Sequence, residues 1–515
     1  MDKLLEAIAQ GNEVRANLIE VRQQLKQSGE KEVLNRILTE KPELLVGLLG
    51  NEDPKVRKNA ALLIGDLRME QMLEELYQAY LKEETLFIRR DYLKAMGQMD
   101  VRAYQERLEQ RLAQMLGEDV SEENQKHYRE ELLTLQKLVL RNQKRKSHVF
   151  VGGDERFDVI LTTNRNQREV TAAQIGGKKV SLVPLGVKVQ NADIRELLEI
   201  RTFRELLFVL DIPSVGPGPV DAAKALAASD LPKVLRRAFG CQRVIQSEEQ
   251  AGGVAAGKGP EERQPFYFRI SIIGSMPLDK RSAFIKKCSF ELEKCTGRRL
   301  VNTASDYELE LRLLERRDGT FLPLMKLCNL PDPRFSYRKE SIAASIHPSE
   351  AALIAALAKP YLKEKAQVLD PFCGVGTMLV ERDRVLPAGT MYGIDIFGEA
   401  IQKARTNAVC ADREIYYINR DFFDFTHEYL FDEIITNLPV RGKKTKEEQD
   451  WLYQNFFDKA EELLRKGGIM VLYSNEQGYV KKQLRLHEKF RLRKECCMNE
   501  KEGFYVWIIE FRSEL

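Results

Sequence analysis

The stretch VLDPFCGVGTMLVER, residues 368 to 382, limits what this chain can fold into more than any other. A short, apolar, β-branched run, QVLD, ends on an acid. A Gly-x-Gly turn follows at Gly374 and Gly376, and from Thr377 the segment TMLVERDRVL reads as a helix. One buried strand of this kind needs neighbours built the same way. They follow as MYGIDI, EIYYINRD and FDEIITN, alternating with helical segments at roughly 20–25-residue spacing. From residue 346 onward this predicts a doubly wound, mostly parallel sheet.

Each of the four strands ends on a polar residue: Asp370, Asp395, Asp421 and Asn437. The carboxyl edge of an open α/β sheet is where ligands bind. Gly374 and Gly376 let the backbone turn sharply and approach a ligand closely. The helix amides opening at Thr377 favour an electron-rich group. Asp395 is placed to accept both hydroxyls of a ribose. Asp421 suits an adenine amino group, with Phe422 beside it for stacking. The loop lacks the third glycine of Gly-x-Gly-x-x-Gly, which disfavours a dinucleotide, and the absence of Gly-Lys-Ser/Thr rules out a P-loop.

These residues resemble the class I S-adenosylmethionine-dependent methyltransferases. DPFCGVGT is similar to their motif I, GIDI to motif II, RDFFDF to motif III, and TNLPVRG to a motif IV of the Asn-Pro-Pro-Tyr type. The resemblance implies a Rossmann-like seven-stranded domain over 346–515. It implies an S-adenosyl-L-methionine pocket lined by Asp370, Phe372, Gly374, Gly376, Thr377, Asp395, Ile396, Asp421 and Phe422. It also implies a catalytic turn at Asn437, Leu438, Pro439 and Val440. The chemistry suits the turn, because the exocyclic amine of a base delocalises its lone pair into the ring. The Asn437 side-chain oxygen and the Leu438 carbonyl can accept its protons and aim that lone pair, while Pro439 stiffens the turn. Val440 departs from the family, which usually has an aromatic ring there. Base stacking then falls to Phe422 or Phe423. His347 either lines the cofactor pocket or opens the helix at Pro348, and Cys373 reads as a small filler within the loop.

Upstream, residues 1–145 carry apolar positions at helical spacing, interrupted by Pro42 and Pro54. GLLGNEDPKVRKNAALLIGDL and AYLKEETLFIRRDYLKAMGQM align at an offset of 32, superposing Val56-Arg57 on Ile88-Arg89 and Gly65 on Gly97. The pattern resembles a HEAT-type repeat, with an irregular helical bundle as the alternative; either is an interaction scaffold that a protein partner could join. The basic run RNQKRKSH (141–148) closes this part as a linker or a phosphate contact. Residues 146–345 read as α/β. FDVILTTN and KKVSLVPLGVKVQ are strands, NADIRELLEI is a capped helix, and YELELRLLERRDGTFLPLMKL is a hairpin turning at Asp318-Gly319. QSEEQAGGVAAGKGPEERQ (246–264) is a Gly/Ala-rich insert. KKQLRLHEKFRLRK (481–494) reads as an amphipathic helix and a sheet edge.

ILTTNRNQREVTAAQIGG, SDYELELRLLE and DPRFSYRKESIAASIHPSEAALIAALA resemble the ferredoxin-like part, the THUMP domain and the linker of THUMP-containing RNA methyltransferases. In that family the front domains grip structured RNA, and the reaction is guanine-N2 methylation of tRNA. Two other readings stand beside it: a catalytically degenerate RNA- or protein-binding scaffold, and an amino-methyltransferase acting on rRNA or DNA. With 81 basic and 78 acidic residues, any nucleic-acid surface must be local. Eight scattered cysteines and five histidines form no metal or disulfide pattern. No signal peptide or membrane span is legible, so a cytoplasmic location is expected.

Overall fold

The computed structural model describes residues 2–27, 31–118, 124–142, 147–240, 265–442 and 444–512. The insert 246–264 and the centre of the basic run at 141–148 lie outside the described residues. The chain divides into two compact units, Met1–Lys146 and Ser147–Leu515.

The first unit is helical: α1 (Asp2–Ala9), α2 (Val14–Gln27), α3 (Lys31–Thr39), α4 (Pro42–Leu49), α5 (Pro54–Leu67), α6 (Leu73–Lys82), α7 (Leu86–Met96), α8 (Gln105–Gly117) and α9 (Gln125–Asn142). Both interrupting prolines stand at helix starts, where a missing N–H costs nothing. Asp53 caps α5 by accepting from the Lys55 amide at 2.8 Å. Gly65 sets the approach of α5 to α7, since a Cβ there would fall 2.6 Å from the Ala95 Cα. Arg57 and Arg89, which the 32-residue offset superposes, each reach a buried acid, Glu83 at 2.7 Å and Glu131 at 3.2 Å, but these two acids stand 48 residues apart and are not equivalent. The equivalence lapses at Gly97, which lies past the end of α7, whereas Gly65 is inside α5.

The second unit opens with β1 (Arg156–Thr162), α10 (Arg168–Ala172), β2 (Lys179–Val183), β3 (Gly186–Asp193), α11 (Ile194–Leu197), β4 (Glu205–Val209), α12 (Pro219–Ala228) and α13 (Leu231–Phe239). It continues with β5 (Phe266–Ile273), α14 (Leu278–Cys295), β6 (Leu300–Asn302), β7 (Leu309–Glu315) and β8 (Phe321–Leu327). The segments expected as ferredoxin-like and THUMP-like modules share one eight-stranded sheet, β2-β3-β1-β4-β8-β7-β5-β6. The seam is β4 against β8, with Phe208 opposite Met325. The β7–β8 hairpin turns where expected, but its polar face is not wet. Glu308 and Glu310 are each only 5% exposed. Arg269 and Arg312 both bond Glu310 at 2.8 Å, and Arg312 and Lys326 hold the Glu205 carboxyl down to about 2. Buried carboxylates persist here because each is paired.

A second sheet follows α15 (Pro348–Ala358). It contains β9 (Gln367–Asp370), α16 (Thr377–Val385), β10 (Thr390–Asp395), α17 (Gly398–Cys410), β11 (Tyr416–Asn419) and β12 (Phe431–Asn437). It closes with α18 (Lys446–Leu463), β13 (Leu464–Ser474), α19 (Gln477–Leu486), β14 (Phe490–Asn499) and β15 (Phe504–Phe511). The order is β11-β10-β9-β12-β13-β15-β14, parallel except where β15 runs against β13 and β14. Seven strands were expected, and seven form. The basic stretch 481–494 becomes α19 and the edge strand β14. Inside, Arg382 of α16 pairs with Glu433 of β12 at 2.7 Å, both side chains fully buried. The neighbouring Glu381 takes Arg201 at 2.7 Å and the Tyr337 hydroxyl at 2.8 Å, tying α16 to the first-sheet region of this unit.

Candidate active site

Strands β11, β10, β9 and β12 are consecutive neighbours, so Asp421, Asp395, Asp370 and Asn437 gather along one edge. Register shapes that edge. Asp370 pairs with Gly393 on one side, and Leu369 pairs with Ile434 on the other. Asp395 and Asn437 therefore each stand two residues, about 7 Å, beyond Asp370. The result is a crevice with Asp370 on its floor.

The glycine loop crosses this crevice. Gly374 has φ +52° and Gly376 φ +81°, backbone that L side chains rarely adopt. A Cβ on Gly376 would fall 2.1 Å from the Tyr417 hydroxyl, whereas one on Gly374 would meet only open space. Gly376 is thus needed for packing, and Gly374 for the turn and for access. Asp395 clamps the loop, Oδ2 accepting from the Gly374 amide and Oδ1 from the Phe397 amide, each at 2.9 Å. Asp421 lies past the end of β11, a little beyond its expected place. It caps a short 3-10 turn by accepting from the Phe423 amide at 3.0 Å.

Motif IV is pinned from both sides. The Leu438 amide donates to the Tyr473 carbonyl at 3.0 Å, and the buried Gln449 side chain donates to the Pro439 carbonyl at 3.2 Å. Leu438 is buried, Asn437 half-buried and Val440 exposed. No hydrogen bond among the described residues engages the Asn437 side chain.

Residues 336–502 match the family model described as UPF0020, RMKL-like, methyltransferase domain. Over 141 residues, 26% of its length, the chain is 28% identical to the tRNA (guanine(10)-N2)-dimethyltransferase of Methanothermobacter thermautotrophicus. The aligned stretch spans 41% of that enzyme. The crystal structure of TrmN from Thermus thermophilus shares the fold, with TM-score 0.51 and 20% identity over 69% of this chain and 99% of that one. Residues 336–502 form a methyltransferase domain. Its cofactor is S-adenosyl-L-methionine.

The methyltransferase pocket fits that group. Asp370 Oδ1 accepts from the Phe372 amide at 3.2 Å and the Thr436 side chain approaches the carboxyl, but among the described residues Oδ2, the Thr377 hydroxyl and the Tyr417 hydroxyl are buried with no hydrogen bond. Burial pushes the Asp370 carboxyl up to about 7. A floor carboxylate short of partners suits a cationic ligand, and this cofactor carries a sulfonium and an ammonium. Ile396 is 60% exposed and its neighbour Phe397 69%, leaving an apolar lip beside Asp395 for a flat ring.

Phe422 is 2% exposed, wedged between Phe372 and Phe456 at centroid distances of 5.7 and 5.9 Å. From it the ring series runs outward to Phe423 and then to Trp451, whose indole meets Phe423 edge-on at 4.9 Å and is 55% exposed. Phe397 and Trp451 escaped the motif reading. Their signals were adjacency to GIDI and a rare tryptophan just past motif IV. His347 caps α15 as the start of the helix, its Nδ1 accepting from the Ser349 amide at 3.2 Å. Cys373 is buried beneath the loop, and burial raises its thiol well above the ordinary value, so it is a filler. Among the described residues no His, Cys, Asp and Glu group could hold a metal, and no helix is long and apolar enough to cross a membrane.

Proposed function

We propose that this protein methylates an exocyclic amine of an RNA base, with guanine N2 of tRNA as the substrate best supported. The observation that carries the reading is Asn437, its amide uncommitted, standing two residues above the Asp370 floor on a turn held at both flanks. The tRNA enzyme among the relatives supports the substrate class.

Asp370, the Gly374–Thr377 loop, Asp395 with Ile396 and Phe397, and Asp421 would hold the cofactor. When bound, the cofactor supplies an electrophilic methyl on positively charged sulfur. The chain's own part is positioning. Asn437 Oδ1 and the Leu438 carbonyl accept the two amine protons, so the nitrogen lone pair is turned out of conjugation and toward the methyl. The buried Gln449 and the Leu438–Tyr473 bond keep both acceptors from moving as charge builds on nitrogen. That nitrogen then loses one proton to water. A base stacked within RNA must swing out to reach the turn. Val440 offers it no ring, and the exposed Trp451, backed by Phe423, supplies the stacking face instead.

The test is incubation with methyl-labelled cofactor and bulk tRNA, followed by nucleoside mapping. Label on guanine N2 supports the reading. Tight cofactor binding without transfer to any nucleic acid would leave the scaffold alternative in its place.

A further inference from the structure

The first unit carries a groove, about 550 Å³ in volume, that the methyltransferase site does not use. Three helices line it, each through one face. α2 contributes Arg15, Ile19 and Arg22, spaced four and three apart. α5 contributes Lys55 and Lys58, and α7 contributes Phe87, Arg90 and Lys94. The last two faces are the same repeat position, because Lys55 and Lys58 align with Phe87 and Arg90 at the offset of 32. Two of the three faces are thus related by that offset, and the α2 face is not.

Its charge is one-sided. Asp91, 2% exposed, is the single acid among the described lining residues, and Lys58 and Lys94 share it at 3.3 and 3.0 Å. Arg22 pairs with Asp66 at 2.8 Å, and Arg90 pairs with Glu130. Arg15 and Lys55 are exposed and make no ion pair among the described residues. Even with Asp66 and Glu130 counted, the cations stay in excess. The excess is local, since the whole chain is nearly neutral. Packed helices lie about 8–10 Å apart, so the cations recur along a line that crosses three of them. Ile19 and Phe87, 37% and 39% exposed, sit among them, and the Phe87 ring, in a T-shaped pair with His127 at 6.3 Å, stays partly open to solvent.

We propose that this groove binds the phosphate backbone of RNA, with Phe87 as a stacking face. A line of cations interleaved with an aromatic ring matches a polyanion that carries bases; an acidic polypeptide would leave Phe87 without a counterpart. The choice of RNA rests on the proposed substrate.

The experiment is equilibrium binding of labelled bulk tRNA to the full chain, without cofactor, across a salt series, for wild type and for R15E/K55E. Both positions lie in first helical turns, where acids are favoured, so the reversals do not weaken the helices. We expect affinity to fall at least tenfold near 0.1 M salt. Two lost phosphate contacts should also make the slope of log affinity against log salt shallower by about 1.4–1.8. R15Q/K55Q should shift both in the same direction by less. Unchanged affinity and slope in both variants would overturn the proposal. So would displacement of tRNA from the wild type by poly-glutamate at equal charge concentration, which would mark a surface for acidic protein. Because binding is read without turnover, a groove effect in a protein that methylates nothing would sustain this site while removing the proposed reaction.

Discussion

The carboxylate of Asp395, at the tip of β10, accepts a hydrogen bond from the amide of Gly374, in the loop after β9, at 2.9 Å. One side chain thus shapes the loop and faces the crevice, so its two duties can be separated. Asp395→Ala leaves the Gly374 and Phe397 amides without their acceptor. It should lower stability by about 1.5–3 kcal/mol, the worth of hydrogen bonds to a charged group, and weaken cofactor binding at least tenfold. Asp395→Asn keeps one acceptor oxygen and should recover part of the stability but little of the affinity. Thermal unfolding and calorimetric titration read the two separately.

Asp370 is expected to make cofactor binding pH-dependent. Its carboxyl sits at about 7 in the folded protein because of burial, against an ordinary value of 3.8. Between those values the folded state binds the extra proton, so this group's contribution to stability falls as pH rises from about 4 to about 7 and is level above that. A cationic ligand requires the ionised form. Affinity should therefore drop as pH falls below about 7, approaching tenfold per pH unit, with proton release on binding. Asp370→Asn should remove that pH dependence, weaken binding, and raise the unfolding temperature of the ligand-free protein at pH 8. Titrations in two buffers of different ionisation enthalpy count the protons.

Trp451 is expected to act on RNA and not on the cofactor. Base–aromatic stacking contributes about 1–3 kcal/mol, so Trp451→Ala should reduce kcat/KM for RNA by roughly 5- to 150-fold with cofactor affinity unchanged. Adding Val440→Tyr to that variant restores a ring at the turn and should recover part of the loss. Steady-state kinetics with RNA varied at saturating cofactor decide it.

The parts of the site fixed by local chemistry were legible. Gly374, Gly376 and the acids at strand tips are dictated within a few residues of themselves, and their positions follow from the pattern. What escaped depends on distant partners. Phe422 is turned inward by Phe372 and Phe456, fifty and thirty-four residues away in the chain. Glu310 is buried because Arg269 and Arg312 meet it, which alternation along one strand cannot reveal. The helix expected over NADIRELLEI stops at Leu197. The guanidinium of Arg334, lying 3.6 Å from the centre of the Phe203 ring, takes the carbonyls of Ile200 and Phe203 at 3.2 and 2.8 Å and holds that stretch out of the helix.

The most direct measurement is single-turnover methyl transfer to tRNA by Asn437→Ala, run beside calorimetric binding of S-adenosyl-L-methionine to the same protein. The expected result is transfer lost by at least a hundredfold, about 2.7 kcal/mol of barrier, while cofactor affinity stays within a few fold of wild type. Transfer at the wild-type rate would contradict the assignment of Asn437 as the group that orients the amine.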